Sequence, residues 1–294
     1  MQILATISDM SRLGIVLDLE SGAIADVPVR PGFIDASIQG RAPCRPFGIT
    51  WHGDELFVAN NRQLLVFDKR LEFKRTMGTP LQVNTHQLAF CGSYVWAVSP
   101  WTNSLIGICP SDEVMGVEFD ILEQKLLPYA SRRAPESDDK RHFNSLLWTE
   151  DHVYISSHNF DRPSFILRFC RESLKVDSIF ENAGFAIHGL ALHEEQLFWI
   201  SSMTNEIRSS SGYSYRLSRQ GYARGFAVTA QYFIVAISES RSRNKRSGGD
   251  SWIQVIDRQS GAVAGEFYLA DTGSVNDLRL LDECDYAHGV APFW

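Results

Sequence analysis

Alternating runs of apolar and polar residues recur in pairs along this chain. Residues 186–200 show the pattern clearly: an apolar run is followed by a polar turn at residues 193–196 and then by a second apolar run. Strict alternation predicts β-strands, and two such runs around a short polar turn predict an antiparallel hairpin. Further copies of the hairpin pattern occupy residues 46–59, 85–98, 143–155 and 223–235, with a last half copy at residues 275–281.

Repetition of one hairpin along the whole chain predicts a β-propeller. Residues 2–28 contain three strand patterns that lack an inner strand, whereas the half copy at residues 275–281 is an inner strand without partners. Joining the two segments completes a sixth blade and removes the exposed edges of an open sheet. We therefore predict an all-β, six-bladed β-propeller that forms a single domain over residues 1–294. The polar, strand-poor stretch 128–140 is predicted to be a loop between blades and is a candidate lid.

Charge and composition narrow the classes of partner. The chain has a formal net charge of −7, which argues against binding to a nucleic-acid backbone. Its one basic run, residues 241–246, is interpreted as a solvated loop. No apolar run is long enough to cross a bilayer, and the N-terminus lacks the features of a signal peptide, so a cytoplasmic location is predicted. The five cysteines suggest neither a disulfide framework nor a structural zinc site.

The inner strands of a propeller all begin at one mouth of the central channel, so the first residues of the copies are predicted to converge there. Aligning the copies on their apolar positions gives six equivalent residues: Phe47, His86, Asn144, His188, Arg224 and Asn276. The position that follows is glycine in three of the copies, which suits the close approach of a ligand or of another backbone.

The loops between the second and third strands of the blades are predicted to open at the same mouth. The candidate substrate-binding residues, taken from these loops and from positions just before the ring, are Arg45, Trp101, His142, His158 and Arg162. Aromatic, imidazole and guanidinium groups together suit a polar or anionic small molecule. By contrast, His52, His152 and His193 fall in turns at the opposite face and are predicted to be exposed.

A divalent metal is one prediction for the ring. The candidate ligands are the imidazoles of His86 and His188 and the amide oxygens of Asn144 and Asn276. Two imidazoles favour Zn, Mn, Fe or Ni over Ca or Mg. Two other interpretations stay open: a ligand site without a metal, and polar side chains that only pack the channel.

In the metal interpretation, Arg224 would hold a substrate carboxylate or phosphate in a bidentate manner, and Asp277 is the candidate general base.

Three segments resemble the inner hairpins of six-bladed propellers related to the gluconolactonase and NHL families. They are Phe47-Gly48-Ile49, His188-Gly189-Leu190-Ala191 and Arg224-Gly225-Phe226-Ala227, each followed by a turn and an apolar strand. The resemblance covers most of the chain and implies the propeller fold.

The same resemblance bears on the ring residues. In gluconolactonase-like enzymes a carboxylate and amide side chains from different blades hold one axial metal, which implies ligand roles for Asn144 and Asn276. His86 and His188 depart from that pattern. They and Arg224 are similar to the zinc-binding histidines and substrate-binding arginine of the six-bladed peptidylglycine amidating lyases.

Two functions from different classes remain open. The first is a metal-dependent hydrolase, lyase or isomerase that acts on a small polar or anionic metabolite at the channel mouth. The second is a non-catalytic propeller that binds a protein or glycan partner through its rim, with Trp101, Phe160 and Arg162. Polar residues at five of the six ring positions favour the enzyme, because a binding propeller needs no such ring.

Overall fold

The computed structural model describes residues 1–9, 11–29, 46–60, 63–78, 85–128, 141–242 and 245–294. These residues form six antiparallel sheets, and the inner strands of neighbouring sheets contact one another in a closed cycle. The predicted six-bladed β-propeller is confirmed. Among the described residues, no helix has the length and apolar character needed to span a bilayer.

Blade one contains both ends of the chain. It consists of β1 (Gln2–Ile7), β2 (Arg12–Asp18), β3 (Ile24–Pro28) and β25 (Val275–Leu280), in the order β25-β1-β2-β3. Strand β25 is the inner strand, and its pairing with β1 places Thr6 opposite Asp277 and Ile3 opposite Leu280. The predicted closure of the ring by the N-terminal strands is therefore confirmed.

The other five blades follow in chain order, each starting with its inner strand. Blade two contains β4 (Pro46–His52), β5 (Glu55–Asn60), β6 (Gln63–Phe67) and β7 (Phe73–Gly78). Blade three contains β8 (Leu88–Cys91), β9 (Tyr94–Ser99), β10 (Ser104–Cys109), β11 (Asp112–Asp120) and β12 (Lys125–Pro128). Blade four contains β13 (Phe143–Trp148), β14 (His152–Ser157), β15 (Phe165–Cys170) and β16 (Val176–Phe180).

Blade five contains β17 (Ile187–His193), β18 (Gln196–Ser201), β19 (Glu206–Ser209) and β20 (Ser214–Arg216). Blade six contains β21 (Tyr222–Val228), β22 (Tyr232–Ser238), β23 (Ser251–Asp257) and β24 (Val263–Leu269). Blade three is larger than predicted because the stretch up to Pro128 forms a fifth strand. The rest of the candidate lid, residues 129–140, lies outside the described residues.

The hydrophobic core lies between the blades. Six clusters of buried apolar side chains each join two neighbouring sheets, as Ile3 of blade one and Ile253 of blade six do in one cluster. Trp96 and Trp148 stack between blades three and four with ring centroids 5.0 Å apart. The inner strands of each blade are buried on both faces in this way and are rich in apolar residues, and their packing holds the blades in a ring.

The segment after β25 crosses the far end of the channel. Tyr286 N–H donates to Val228 O of blade six, and Leu192 N–H of blade five donates to Tyr286 O. Trp51 Nε1–H of blade two donates to Ala291 O at 2.7 Å. Since these contacts are made at the ends of three inner strands, residues 281–294 cover the mouth opposite the ring of polar residues. We name this segment the C-terminal tail.

Candidate functional site

The structure brings all six equivalent ring residues to one small axial cavity. Its lining comprises Phe47, His86, Asn144, His188, Arg224 and Asn276, together with Gly48, Gln87, Ser145, Gly189 and Asp277 from the next position. The cavity has a volume of about 20 Å³, which is room for one group the size of a water molecule. The cavity therefore has room for only a single small group of a larger ligand.

Two of the ring glycines allow close contact between blades. A Cβ atom at Gly48 would lie 2.4 Å from Leu88 N of blade three, and one at Gly189 would lie 2.6 Å from Phe226 Cβ of blade six. Gly189 also has a φ of +62°, which favours glycine. These two glycines therefore make room for the neighbouring inner strand. Close approach of another part of the chain, rather than of a ligand, is one of the two roles that were predicted for the ring glycines.

His188 is held in one tautomer by its surroundings. Its Nδ1 lies 2.9 Å from Ala186 O and 2.9 Å from Ser202 Oγ. A carbonyl oxygen only accepts, and the Ser202 hydroxyl already donates to Ala223 O, so Nδ1 carries the proton and donates to both. Nε2 is then the unprotonated nitrogen, and it has no hydrogen-bond partner among the described residues.

The electrostatic environment keeps His188 neutral. Burial lowers the pKa of this imidazole well below its usual range, and the nearby Arg224, His158 and His86 lower it further. A neutral imidazole with a free Nε2 lone pair can accept a proton or bind a metal. The hydrogen bonds to Nδ1 fix the orientation of the ring and leave the lone pair on Nε2.

Four imidazoles form an arc around the mouth, from blade three to blade five. The ring centroids are separated by 5.0 Å between His86 and His142, 5.3 Å between His142 and His158, and 5.6 Å between His158 and His188. His142 is buried and has a φ of 49°, a left-handed conformation that is uncommon for residues other than glycine. The fold thus places two predicted substrate-binding residues, His142 and His158, beside the two ring histidines.

His158 is also fixed in one tautomer. The backbone N–H of Phe160 donates to Nδ1 of His158 at 3.3 Å, so this nitrogen is unprotonated. Nε2 carries the proton and donates to the hydroxyl of Tyr222 at 3.2 Å. The Tyr222 proton has no acceptor among the described residues, and the Tyr222 ring lies edge-on to His188, 5.7 Å between centroids. Tyr222 therefore presents a hydroxyl donor beside His188.

Tyr222 and Arg246 are two residues of the mouth that the sequence pattern did not predict. Tyr222 stands two residues before the ring residue Arg224, the same offset that singled out Arg45 and His142, so the alignment contained its signal. The Cζ atom of Arg246 lies 5.6 Å from the Tyr222 ring centroid. In the run 241–246, which was predicted to be a solvated loop, Arg241, Ser242 and Lys245 are exposed and Arg246 is half-buried, while residues 243 and 244 lie outside the described residues.

Arg224 is anchored at one end. Its Nη1 donates to Asn276 Oδ1 at 3.1 Å, and its Cζ lies 5.1 Å from the Tyr222 ring centroid. The buried Nε has no hydrogen-bond partner, and no carboxylate pairs with this guanidinium among the described residues. Arg224 is thus a fixed cation with hydrogen-bonding capacity left for an anionic ligand.

The two ring amides make contacts that suit a metal poorly. Asn144 Oδ1 accepts from Ser156 Oγ at 2.7 Å, while its amide nitrogen donates to Ile187 O. Asn276 Oδ1 accepts from Arg224, so a positive charge already lies where a metal would bind. No group of three or more His, Cys, Asp or Glu with metal-binding geometry occurs among the described residues. The metal site stays a prediction, and its amide ligands would first have to give up these bonds.

Asp277 lies on the cavity wall but is bound by its neighbours. Its Oδ2 accepts from the backbone N–H of Ile49 at 3.0 Å, and its Oδ1 lies 3.1 Å from Nη1 of the fully buried Arg279. Burial raises the pKa of this carboxyl, and the Arg279 guanidinium lowers it. The hydrogen bond from Ile49 joins blades one and two, and the role of Asp277 as general base stays a prediction.

Two predicted substrate-binding residues lie outside the cluster. Trp101 and Arg162 are on exposed turns, and no ring or side-chain contact joins either of them to the four imidazoles among the described residues. Arg45 lies outside the described residues. At the opposite face, His52 is exposed as predicted and His152 is half-buried.

The prediction is wrong for His193, whose side chain is only 10% exposed. Its Nδ1 accepts a hydrogen bond from Arg258, and its ring packs on Tyr286 of the C-terminal tail.

Comparison with known proteins supports the fold. No family model and no curated protein sequence matches the chain. The structure is similar to a chain in the crystal structure of a nidogen–laminin complex, with 10% identity, a TM-score of 0.64, and coverage of 94% of this chain and 97% of that chain. It is also similar to a protein of unknown function from Bacteroides caccae, with 8% identity, a TM-score of 0.63, and coverage of 94% and 97%.

A third similar structure is the dihydro-heme d1 dehydrogenase NirN, with 13% identity, a TM-score of 0.53, and coverage of 95% of this chain and 74% of that chain. At these identities the likeness shows the fold alone. It agrees with the propeller fold that the resemblance implied.

Proposed function

We propose that this chain is a lyase or isomerase that moves protons on a small anionic metabolite at the channel mouth. The observation that carries the proposal is the state of His188: a buried, neutral imidazole with Nδ1–H bound to Ala186 O and Ser202 Oγ and with Nε2 unpartnered among the described residues. The Arg224 guanidinium alone opposes protonation of this nitrogen, but an anionic group bound to Arg224 offsets that charge and lets Nε2 take a proton from a nearby carbon or oxygen atom.

Four residues have separate roles in this proposal. Arg224 binds the anionic group of the metabolite through the donors that Asn276 leaves unused. His188 Nε2 takes a proton from the anchored molecule and becomes an imidazolium. Tyr222 gives its hydroxyl proton to the leaving group or to the developing oxyanion, while the N–H of His158 stabilises the phenolate that remains. Both residues regain their starting protonation by exchange with water or by the reverse transfers.

The proposal contains no metal. The positive charge of Arg224 beside the ring and the hydrogen bonds already made by both amide oxygens favour an anionic ligand over a cation at this mouth. A metal-dependent hydrolase remains the competing hypothesis, and elemental analysis separates the two.

The rim-binding alternative has less support. Of the rim residues named for it, Phe160 packs against His142 and His158, with centroids 5.1 Å and 5.2 Å apart. Its backbone N–H fixes the His158 tautomer. Phe160 thus serves the imidazole arc, and only Trp101 and Arg162 are left as exposed candidates for a partner surface.

Proton exchange with heavy water tests the proposed function across a panel of candidate substrates. The protein is incubated in D2O with small carboxylates and phosphate esters, and ¹H NMR follows both the loss of each compound and the exchange of its C–H protons. We expect at least one compound to be consumed or deuterated, and His188→Asn to slow that reaction by roughly 100-fold or more. Asparagine keeps a donor near the Nδ1 position but lacks Nε2.

His52→Asn is the matched control, because His52 is an exposed histidine at the opposite face. It should react at the wild-type rate. An active preparation in which His188→Asn and wild type have equal rates would contradict the role of His188. A wild-type protein that binds these anions but neither converts nor exchanges them would contradict an enzymatic function.

A further inference from the structure

A second and larger cavity lies between blades one and six, towards the end of the ring that the C-terminal tail covers. It has a volume of about 780 Å³, against about 20 Å³ for the axial cavity, and the two share no lining residue. Its size is typical of pockets that bind small organic molecules. We name it the lateral groove, and its walls are residues 229–232, strand β24, the turn that follows β2, and the C-terminal tail.

The floor of the lateral groove is apolar. Met1, Leu19, Tyr232 and Phe267 line it, and each packs on the buried cluster between blades one and six while staying partly exposed. Apolar surface that stays in contact with water gains free energy when a ligand covers it. The floor can therefore hold the apolar body of a ligand.

Small residues of β24 keep the groove open. Ala264 and Gly265 line it, and Gly265 lies opposite Val255 in the ladder between β23 and β24. The nearest neighbours of a Cβ atom at Gly265 would include Phe267 Cε2 at 3.5 Å and Val255 Cβ at 3.9 Å, which are ordinary contact distances. A longer side chain at this position would fit and would take up part of the groove, so the sequence leaves this space unfilled.

The polar part of the wall is acidic. The carboxylates of Glu20, Asp282 and Glu283 line the groove, and no Lys, Arg or His lines it among the described residues. The Met1 ammonium lies 3.4 Å from Glu20 Oε1 and 3.5 Å from Asp282 Oδ2. Glu283 is exposed and has no ion-pair partner in the part of the chain that the structure describes. Three carboxylates against one ammonium leave the groove negative, in a chain with a net charge of −7.

We propose that the lateral groove binds an amphipathic amine, a small molecule with an apolar body and a positively charged nitrogen. The apolar body covers Leu19, Tyr232 and Phe267. The nitrogen lies towards Glu20 and Glu283, whose charges attract a cation, and the two aromatic rings of the floor add to this attraction. Since the groove shares no residue with the mouth, this site does not depend on the proposed function.

Isothermal titration calorimetry tests this site at low ionic strength, where charge interactions are least screened. Two pairs of probes each combine one apolar body with either an ammonium or a hydroxyl group: tryptamine with tryptophol, and hexylamine with hexanol. Ethylamine supplies the charge with little apolar body. We expect tryptamine or hexylamine to bind about tenfold or more tightly than its own alcohol and than ethylamine.

Two kinds of variant locate the binding. Gly265→Leu fills part of the groove and should weaken both the amine and its alcohol by about tenfold or more. The double variant Glu20→Gln, Glu283→Gln should lower the affinity for the amine to about that for the alcohol and leave the alcohol within about twofold of wild type, because only the amine is charged. If Gly265→Leu does not fold, Ala264→Leu at the neighbouring exposed position takes its place.

Glu123→Gln combined with Glu195→Gln is the matched control. Both are exposed glutamates that do not line the groove, and their replacement changes the net charge by the same amount. The affinity for the amine should stay within about twofold of wild type.

Three results would overturn this site. In the first, neither amine binds more tightly than its alcohol. In the second, the groove-filling variants bind the amine as wild type does, which would place the binding elsewhere. In the third, the control pair of glutamates weakens the amine as much as Glu20→Gln with Glu283→Gln, which would reduce the effect to the net charge of the chain.

Discussion

His158 and Tyr222 belong to blades four and six, yet the imidazole Nε2 and the phenolic oxygen are 3.2 Å apart. His188, on the inner strand of blade five, lies next to both rings, with centroids 5.6 Å from His158 and 5.7 Å from Tyr222. Because His158 Nε2 is the donor, the Tyr222 proton is left for a ligand. The pair therefore links the imidazole arc to the guanidinium side of the mouth.

Replacing Tyr222 by Phe tests this donor. The ring and both cation contacts are kept, so the affinity for the compound found by deuterium exchange should stay within threefold of wild type. Turnover of the compound found by deuterium exchange should fall by roughly 10-fold to 1,000-fold, because a proton donor is lost. Tyr268→Phe removes a hydroxyl bound to Asp250 at the outer edge of blade six and should have no effect on turnover. Equal turnover in wild type and Tyr222→Phe would show that the hydroxyl is not the acid.

Elemental analysis distinguishes the metal-free proposal from the metal hypothesis. We expect well below one equivalent of Zn, Mn, Fe or Ni in the purified protein, because Arg224 and Ser156 occupy the amide oxygens that would serve as ligands. Added metal should not raise the melting temperature. One bound equivalent that disappears in a His86→Ala, His188→Ala double variant would instead establish an axial metal.

The contact between Thr50 and the C-terminal tail should contribute measurably to stability. Thr50 Oγ1 and His288 Nε2 are 2.8 Å apart in a fully buried site, and the ring of His288 packs on Trp51 at 4.0 Å. Thr50→Val leaves Nε2 buried without a partner and should lower the free energy of unfolding by about 1–3 kcal/mol in urea titrations.

A double-mutant cycle checks that the cost comes from this hydrogen bond. Thr50→Val combined with His288→Phe replaces both polar partners by apolar groups. We expect the double variant to lose less stability than the sum of the single variants. Strict additivity would mean that the two residues act independently.

Glycine at position 189 is predicted to be required by two separate constraints. Its φ is +62°, and a Cβ atom would lie 2.6 Å from Phe226 Cβ. Gly189→Ala should therefore cost about 2–4 kcal/mol of unfolding free energy, from backbone strain and from overpacking. Gly53→Ala has a similar φ of +55° but nothing within 4 Å of the added atom, so its cost should be about 1 kcal/mol. Equal losses in the two variants would rule out the inter-blade contact.

Asp285 of the tail should give stability a characteristic dependence on pH. Burial raises the pKa of this carboxyl from 3.8 to about 6, although the Arg279 guanidinium acts to lower it. The folded state therefore binds a proton more tightly than the unfolded state. The stability that this proton gives the folded state is present below pH 3.8 and is lost as the pH rises through about 6.

Comparison with Asp285→Asn isolates this contribution. The amide oxygen can still accept from the N–H groups of Val228 and Ala287. Between about pH 4 and pH 7, wild type should lose about 3 kcal/mol of unfolding free energy relative to the variant. A difference that is constant over this range, or that grows in favour of wild type, would contradict the raised pKa.

The residue pattern by itself determined the blades and their closure. Short apolar runs on either side of a polar turn are a local property of strands with both faces buried, and they marked the inner hairpins from Pro46 to Val235. The unpaired strand patterns at both ends of the chain then required β1 to join β25, as the structure has it. The alignment also gathered the six ring residues, because equivalent positions of a closed ring face one axis.

The tertiary structure alone decided what those ring residues contact. A sequence pattern places Asn144 and Asn276 at the mouth but does not indicate that Ser156 and Arg224 already bind their oxygens. It does not reveal that an irregular connection carries Arg246 to Tyr222, or that the C-terminal tail crosses the far mouth. These contacts join residues that are far apart in the chain, and several of them lie in loops that have no periodic pattern. The hydrogen bonds of a side chain depend on all of its neighbours in space, which a sequence pattern does not specify.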